Sequence, residues 1–267
     1  MAQKNITNLP KAVVFGSIEG MKSFYGKTFL RLVKDPGFLL AVSNALFFLN
    51  KSLLAFLVVM TAIVSIIALK SYACAEPPQH PYLQLLYRMG QKKFIGLEMI
   101  GYACLTVAFI AMTRQLFIEF VSSFCFGLAN LLMSFRYTPN TMTSQQDWGI
   151  VLQNVRKNQS LTPFFLALLQ EPIILICIGY LHAGLAAGNE ALWILPIICI
   201  VPYITIKKPN INRAITQGAL CFCAIWFTFI ALSHHIWILA LSNILCTFAY
   251  IEITYQEHKL FLSKQNR

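Results

Sequence analysis

Residues 36–69 read PGFLLAVSNALFFLNKSLLAFLVVMTAIVSIIAL, an apolar stretch broken only by Asn50-Lys51. As a single helix it would be about 51 Å long at 1.5 Å per residue, far more than a bilayer core of about 30 Å. The stretch must therefore fold back, as two short spans or as a re-entrant hairpin. Either form returns the chain to the side it came from. Residues 94–135 pose the same problem, with Arg114-Gln115 at the midpoint, and take the same solution.

Working outward from these hairpins, eight segments are apolar enough to cross a thin bilayer: 36–50, 52–69, 94–113, 115–135, 163–184, 191–206, 214–233 and 236–256. Unpaired backbone groups are not tolerated in hydrocarbon, so each segment is expected to be helical. The runs are continuous rather than alternating, which disfavours a β-barrel. The expected fold class is all-α, a polytopic integral membrane bundle of about eight transmembrane helices.

Composition points the same way. Of 267 residues, 57% are hydrophobic and 12% are charged, and 21 are Phe. A soluble domain carries roughly a quarter charged residues. These values exclude a soluble globular enzyme, a disordered chain and a disulfide-framed secreted module. Seven of the eight cysteines lie in apolar runs and none forms a CxxC, so they read as small hydrophobes. No cofactor and no metal is expected. The basic N-terminus lacks the apolar core of a secretory signal, so the spans themselves are expected to direct insertion.

The net charge is +11. In a membrane chain this implies anionic lipid headgroups as the partner, and no nucleic acid. Nineteen Lys and Arg residues lie in the termini and in the connectors of one side; only Lys51 and Arg114 lie on the other. This asymmetry places both termini in the cytoplasm. Connectors on the sparse side are short, whereas 70–93 and 136–162 are long, so no external receptor domain is expected. The loop pattern suggests a bacterial inner membrane.

Residues 1–35 form a basic segment. Val14, Ile18, Met21, Tyr25, Phe29 and Leu32 recur there at steps of three and four, accompanied by Lys22, Lys27, Arg31 and Lys34. This pattern suits an amphipathic helix at the lipid interface, with the four cations on the headgroups.

The two halves of the chain can be overlaid. Asp35-Pro36-Gly37-Phe38-Leu39 lies over Thr162-Pro163-Phe164-Phe165-Leu166, at an offset of 127. Tyr102 to Met112 lies over Phe222 to Leu232 at an offset of 120, which also matches Ser122 with Ser242 and Ala129 with Ala249. The expectation is an internal repeat of two parallel four-helix halves, 36–135 and 163–256. They are joined by a cytoplasmic linker, 136–162, and followed by a basic tail, 257–267.

Ionisable residues inside spans are functional-site candidates by default. Glu171 is the foremost, within Gln170-Glu171-Pro172, where proline removes a helix hydrogen bond and frees a carbonyl. A carboxyl group, an amide and a broken backbone could together bind a cation, a proton or a polar solute. The overlay sets Gln170 and Glu171 over Ser43 and Asn44, and His182 lies three turns beyond Glu171. The motifs HExxH, GxSxG, GxxxxGK[ST] and GxGxxG do not occur, and Asp35 and Asp147 stand apart from one another. The expected function is therefore a non-enzymatic small-molecule or ion transporter or permease, with Gln170, Glu171, Ser43 and Asn44 lining a polar site. The alternative is a non-catalytic subunit that assembles a larger complex with other membrane subunits.

Overall fold

The structure, a computed structural model, describes residues 18–49, 51–75, 77–136, 148–158, 160–187, 200–201 and 213–265. Its elements are α1 (Ile18–Val33), α2 (Pro36–Phe48), α3 (Leu53–Tyr72), α4 (Pro81–Gln91), α5 (Ile95–Thr113) and α6 (Phe117–Arg136). They continue with α7 (Trp148–Asn158), α8 (Thr162–Leu169), α9 (Pro172–Ala187), α10 (Arg213–Ser233) and α11 (Trp237–Gln265). Among the described residues there is no strand. The expected segment 191–206, apart from residues 200 and 201, lies outside the described residues, as does Asp147.

Four stretches are long and apolar enough to cross a bilayer: Leu53–Tyr72, Ile95–Thr113, Phe117–Phe135 and Trp237–Tyr255. Pro36–Phe48, Pro172–Leu181 and Cys221–Ser233 are shorter apolar helices. Their outer faces carry exposed Leu53, Val64, Phe109, Phe229, Trp237 and Phe248. So much uncovered apolar surface would drive association in water but suits contact with acyl chains. These helices are those of an integral membrane protein.

The stretch 36–69 folds back as α2 and α3. Asp35 caps α2, its Oδ1 accepting from Gly37 N at 3.0 Å, and Pro36 fills the first helical position, where a missing N–H costs nothing. Ser52 caps α3 by accepting from Ala55 N at 3.3 Å. At the turn, Lys51 Nζ lies 4.4 Å from the centre of the Phe47 ring.

The stretch 94–135 folds back as α5 and α6, which approach closely at Gly101 and Gly127. A side chain at Gly101 would press on Leu131, and one at Gly127 on Leu105. The α5–α6 turn and the α10–α11 turn have the same structure 120 residues apart. Gln115 and His235 are both left-handed, with φ of 59° and 57°. Leu116 N donates to Ala111 O at 2.9 Å, and Ile236 N donates to Ala231 O at 2.8 Å. Gln115 N donates to Met112 O and His235 N to Leu232 O, both at 3.0 Å. This is the helix-ending motif that satisfies two terminal carbonyls at the expense of one left-handed residue.

Each hairpin also receives a helix from far away in sequence: α6 packs on α9, and α11 packs on α2. Leu97, Ala129, Leu175, Cys223, Ala249 and Ile253 form one core, and Ala41, Val59, Ile66 and Ile100 form a second between α2, α3 and α5. In the first core the Tyr180 ring meets Phe126 edge-on at 5.3 Å and stacks on Phe227 at 6.1 Å.

Two segments differ from the sequence expectation. The 163–184 segment is two helices rather than one, divided at Gln170-Glu171. Pro172 has no N–H to donate and disfavours helical geometry in the residue before it, so α8 ends and α9 starts afresh. The 70–93 connector carries α4, to which the sequence reading assigns no helix. Gly90 of α4 lies directly against Leu69 O and Ala73 of the α3 end, with no room for a side chain.

Candidate functional site

Three charged residues are buried among the described residues: Asp35, Lys70 and Glu171. Asp35 follows α1 and caps α2, while Lys70 occupies the last turn of α3. Their approach joins two ends that are 35 positions apart in sequence. Lys70 Nζ lies 3.1 Å from Asp35 Oδ2, with side-chain exposures of 4% and 0%.

Burial of an ion pair is costly unless the remaining polar valences are met. Here they are. Asp35 Oδ1 accepts from Gly37 N, and Oδ2 also accepts from Gly96 N at 3.0 Å. Lys70 Nζ donates to Lys92 O at 2.8 Å and to Lys93 O at 3.2 Å. The carboxylate thus faces the N-terminal ends of α2 and α5, where helix dipoles favour negative charge. The ammonium sits at the C-terminal end of α3, where they favour positive charge. Burial pushes the Asp35 carboxyl above its ordinary value of 3.8, and Lys70 and the Gly96 and Gly37 amides act against that rise. A Cβ at Gly96 would collide with the Asp35 carboxylate, and one at Gly37 with the Gly96 backbone. The node therefore depends on both glycines.

Ser43 is buried in α2, facing α11. Its Oγ donates to Ser242 O, Ser242 Oγ donates back to Ser43 O, both at 2.8 Å, and the two hydroxyl oxygens are 3.1 Å apart. On the other seam, Ser122 of α6 donates to Gly179 O of α9 at 3.2 Å. Asn44 is half-buried and its Nδ2 donates to Leu40 O at 2.8 Å within α2. Gln170 is exposed at the end of α8, and Glu171, 6% exposed, starts α9, its carbonyl accepting from Leu175 N. His182 lies on α9. Ser43 and Asn44 thus sit inside a helix, whereas Gln170 and Glu171 sit at a helix junction.

Asp35-Pro36 opens α2 and Glu171-Pro172 opens α9, so each of these helices starts with a proline behind an acidic residue.

Of the expected lipid-facing cations, Lys27 and Arg31 are exposed on α1, Lys34 is exposed just after it, and Lys22 lies earlier in the same helix. Tyr25, Phe29 and Leu30 are exposed beside them, while Leu32 is buried. Arg31 Nη1 also donates to Ala73 O at 2.8 Å, tying α1 to the end of α3. Among the described residues no group of three or more His, Cys, Asp or Glu could hold a metal ion.

The Asp35–Lys70 pair escapes sequence reasoning because both residues flank apolar runs, where charges ordinarily read as solvated. The cue available in sequence is Asp-Pro-Gly at a helix start. No protein family model, no curated protein and no solved structure matches the chain.

Proposed function

We propose that the chain is a small transporter or permease built from two similar four-helix halves. One half comprises α2, α3, α5 and α6; the other comprises α9, the segment 191–206, α10 and α11. That reading gives eight spans, with both termini in the cytoplasm of a bacterium and the bundle in its inner membrane. The observation that carries it is the packing of α2 on α11 and of α9 on α6, pairs far apart in sequence, joined through Ser242 and Ser43 on one seam and Ser122 and Gly179 on the other. Carriers built from repeats place their sites between the halves and work by moving one against the other.

On this reading Glu171 and Gln170, with Ser43, Asn44 and His182, are the polar groups offered to a small solute or cation. The test uses the purified protein in liposomes, with fluxes of protons, sodium and potassium recorded. Glu171→Gln and Asn44→Ala are expected to slow a flux that the parent supports. A parent that moves none of these ions across the membrane, or variants that match it, would overturn the reading for cations.

A second reading, a non-catalytic subunit of a larger membrane complex, is favoured by one observation. Ser43, Ser242 and Asn44 all direct hydrogen bonds at helix carbonyls. Solubilisation in mild detergent that retains stoichiometric partner subunits would support it.

A further inference from the structure

Helix α4 has three sides. Tyr82, Leu85, Leu86 and Met89 recur at steps of three and four and make an apolar side. Gln84, Arg88 and Gln91, at the same spacing, make a polar side, and α4 holds no acidic residue. Tyr87 and Gly90 lie between the two, on the side that packs on the end of α3. There Gly90 sits against Leu69 O and Ala73, and the Tyr87 ring meets Tyr72 edge-on at 6.5 Å. Lys70 holds the chain that leaves α4, through Lys92 O and Lys93 O. The rotation of α4 about its own axis is therefore fixed.

That rotation leaves the apolar side uncovered. Tyr82 is 77% exposed and Leu85 59%, and Leu83 and Leu86 are exposed with them. The polar side is exposed as well.

Depth decides what the apolar side meets. The 20 residues of α3 make a helix about 30 Å long, the thickness of a bilayer core. With its start at Leu53 on one face of the membrane, its end at Leu69 to Ala73 reaches the other face, and the Gly90 contact holds α4 at that level. The 11 residues of α4 are about 17 Å long, too short to cross. A short helix at the boundary, apolar on one side and polar on another, has the form of a helix lying in the interface. Tyrosine is favoured at that depth, which suits Tyr82. The end of α1 is tied to the same level, since Arg31 donates to Ala73 O.

We propose that α4 is a lipid-docking helix. It lies in the surface of the surrounding bilayer, with Tyr82, Leu85 and Leu86 among the acyl chains and Gln84, Arg88 and Gln91 among headgroups and water. The plane of the membrane surface on this side then passes through the contact of Gly90 with Leu69. The inference is independent of the transport reading, since neither Ser43 nor Glu171 takes part.

The full chain is reconstituted in phosphatidylcholine nanodiscs, and tryptophan emission is quenched from two directions, by lipid brominated along its acyl chains and by aqueous acrylamide. Leu85→Trp on the apolar side and Gln84→Trp on the polar side are read against the emission of the parent. Both positions are exposed, so neither change disturbs packing. Val64→Trp, on the exposed face of α3, gives the response of a side chain among acyl chains. The emission added by Leu85→Trp is expected to follow Val64→Trp, being quenched by brominated lipid at least about twofold more than that of Gln84→Trp. Acrylamide is expected to reverse the order. A difference between the two α4 positions below about twofold in brominated lipid, or an acrylamide response larger for Leu85→Trp than for Gln84→Trp, overturns the proposal.

Discussion

Lys70 Nζ and Asp35 Oδ2 meet at 3.1 Å with both side chains buried, and each residue makes two further hydrogen bonds to backbone. One contact thus ties the starts of α2 and α5 to the end of α3 and to the α4–α5 turn. Removing one partner leaves a buried charge with no counter-ion, which costs about 3–5 kcal/mol. Lys70→Met is therefore expected to be severely destabilising, and Asp35→Asn/Lys70→Met to recover much of the loss. Unfolding in detergent measures the cycle; simple additivity of the two single changes would refute the coupling.

The same pair makes a pH prediction. Without Lys70, the Asp35 carboxyl loses its main opposition to burial and rises further above its ordinary value of 3.8. A carboxyl whose folded value exceeds its unfolded one favours the fold at low pH and loses that contribution as pH rises through the folded value. Lys70→Met should therefore become progressively less stable than the parent as pH rises above the ordinary carboxyl value of 3.8. A gap that narrows with rising pH would contradict this.

The two glycines at the node set a second expectation. Gly96→Ala puts a methyl group into the Asp35 carboxylate, and Gly37→Ala puts one into the Gly96 backbone. Each should cost about 3 kcal/mol or more, because the neighbours are rigid. Gly26, on α1, has open space where its Cβ would go, and Gly26→Ala should stabilise by about 0.5–1 kcal/mol. Thermal unfolding of the three variants tests the contrast, and equal effects would show that the close approach at Asp35 carries no weight.

Left-handed Gln115 and His235 carry side chains where glycine is the usual choice. Gln115→Gly and His235→Gly are each expected to stabilise by about 0.5–1 kcal/mol, since relief of strain outweighs the added freedom of the unfolded chain. The two responses should agree in sign, because the turns share their hydrogen bonds. Opposite signs in unfolding measurements would separate the turns energetically.

The hairpins were legible because length decides them: a helix over 36–69 or 94–135 overshoots the bilayer, and the turns fall beside Lys51 and at Arg114-Gln115. The node at Asp35 was not legible, because Lys70 is near it only after α2 and α3 have folded back. Hydropathy does not register the break at Gln170-Glu171, since α8 and α9 are equally apolar on both sides of it. That is why Glu171 reads as a residue within a span and is found starting a helix. The likeness of the turns at Gln115 and His235 shows only in their backbone, in the shared left-handed φ and paired hydrogen bonds.

The last prediction concerns the α2–α11 seam. Ser43 and Ser242 each donate to the other's main-chain carbonyl at 2.8 Å, and those carbonyls survive when a hydroxyl is removed. The reciprocal bonds are therefore two separate clamps, linked only by the 3.1 Å contact between the hydroxyl oxygens. Hydrogen bonds between membrane helices are worth about 0.6 kcal/mol on average and at most about 1.7. Ser43→Ala and Ser242→Ala should each cost about 1 kcal/mol, and the double variant close to the sum. Ser122→Ala should cost less, because its bond to Gly179 O is longer, at 3.2 Å, and only half-buried. A double-mutant cycle in detergent reads both points. A coupling energy above about 1 kcal/mol would mean that the two hydroxyls act as one unit rather than as independent clamps.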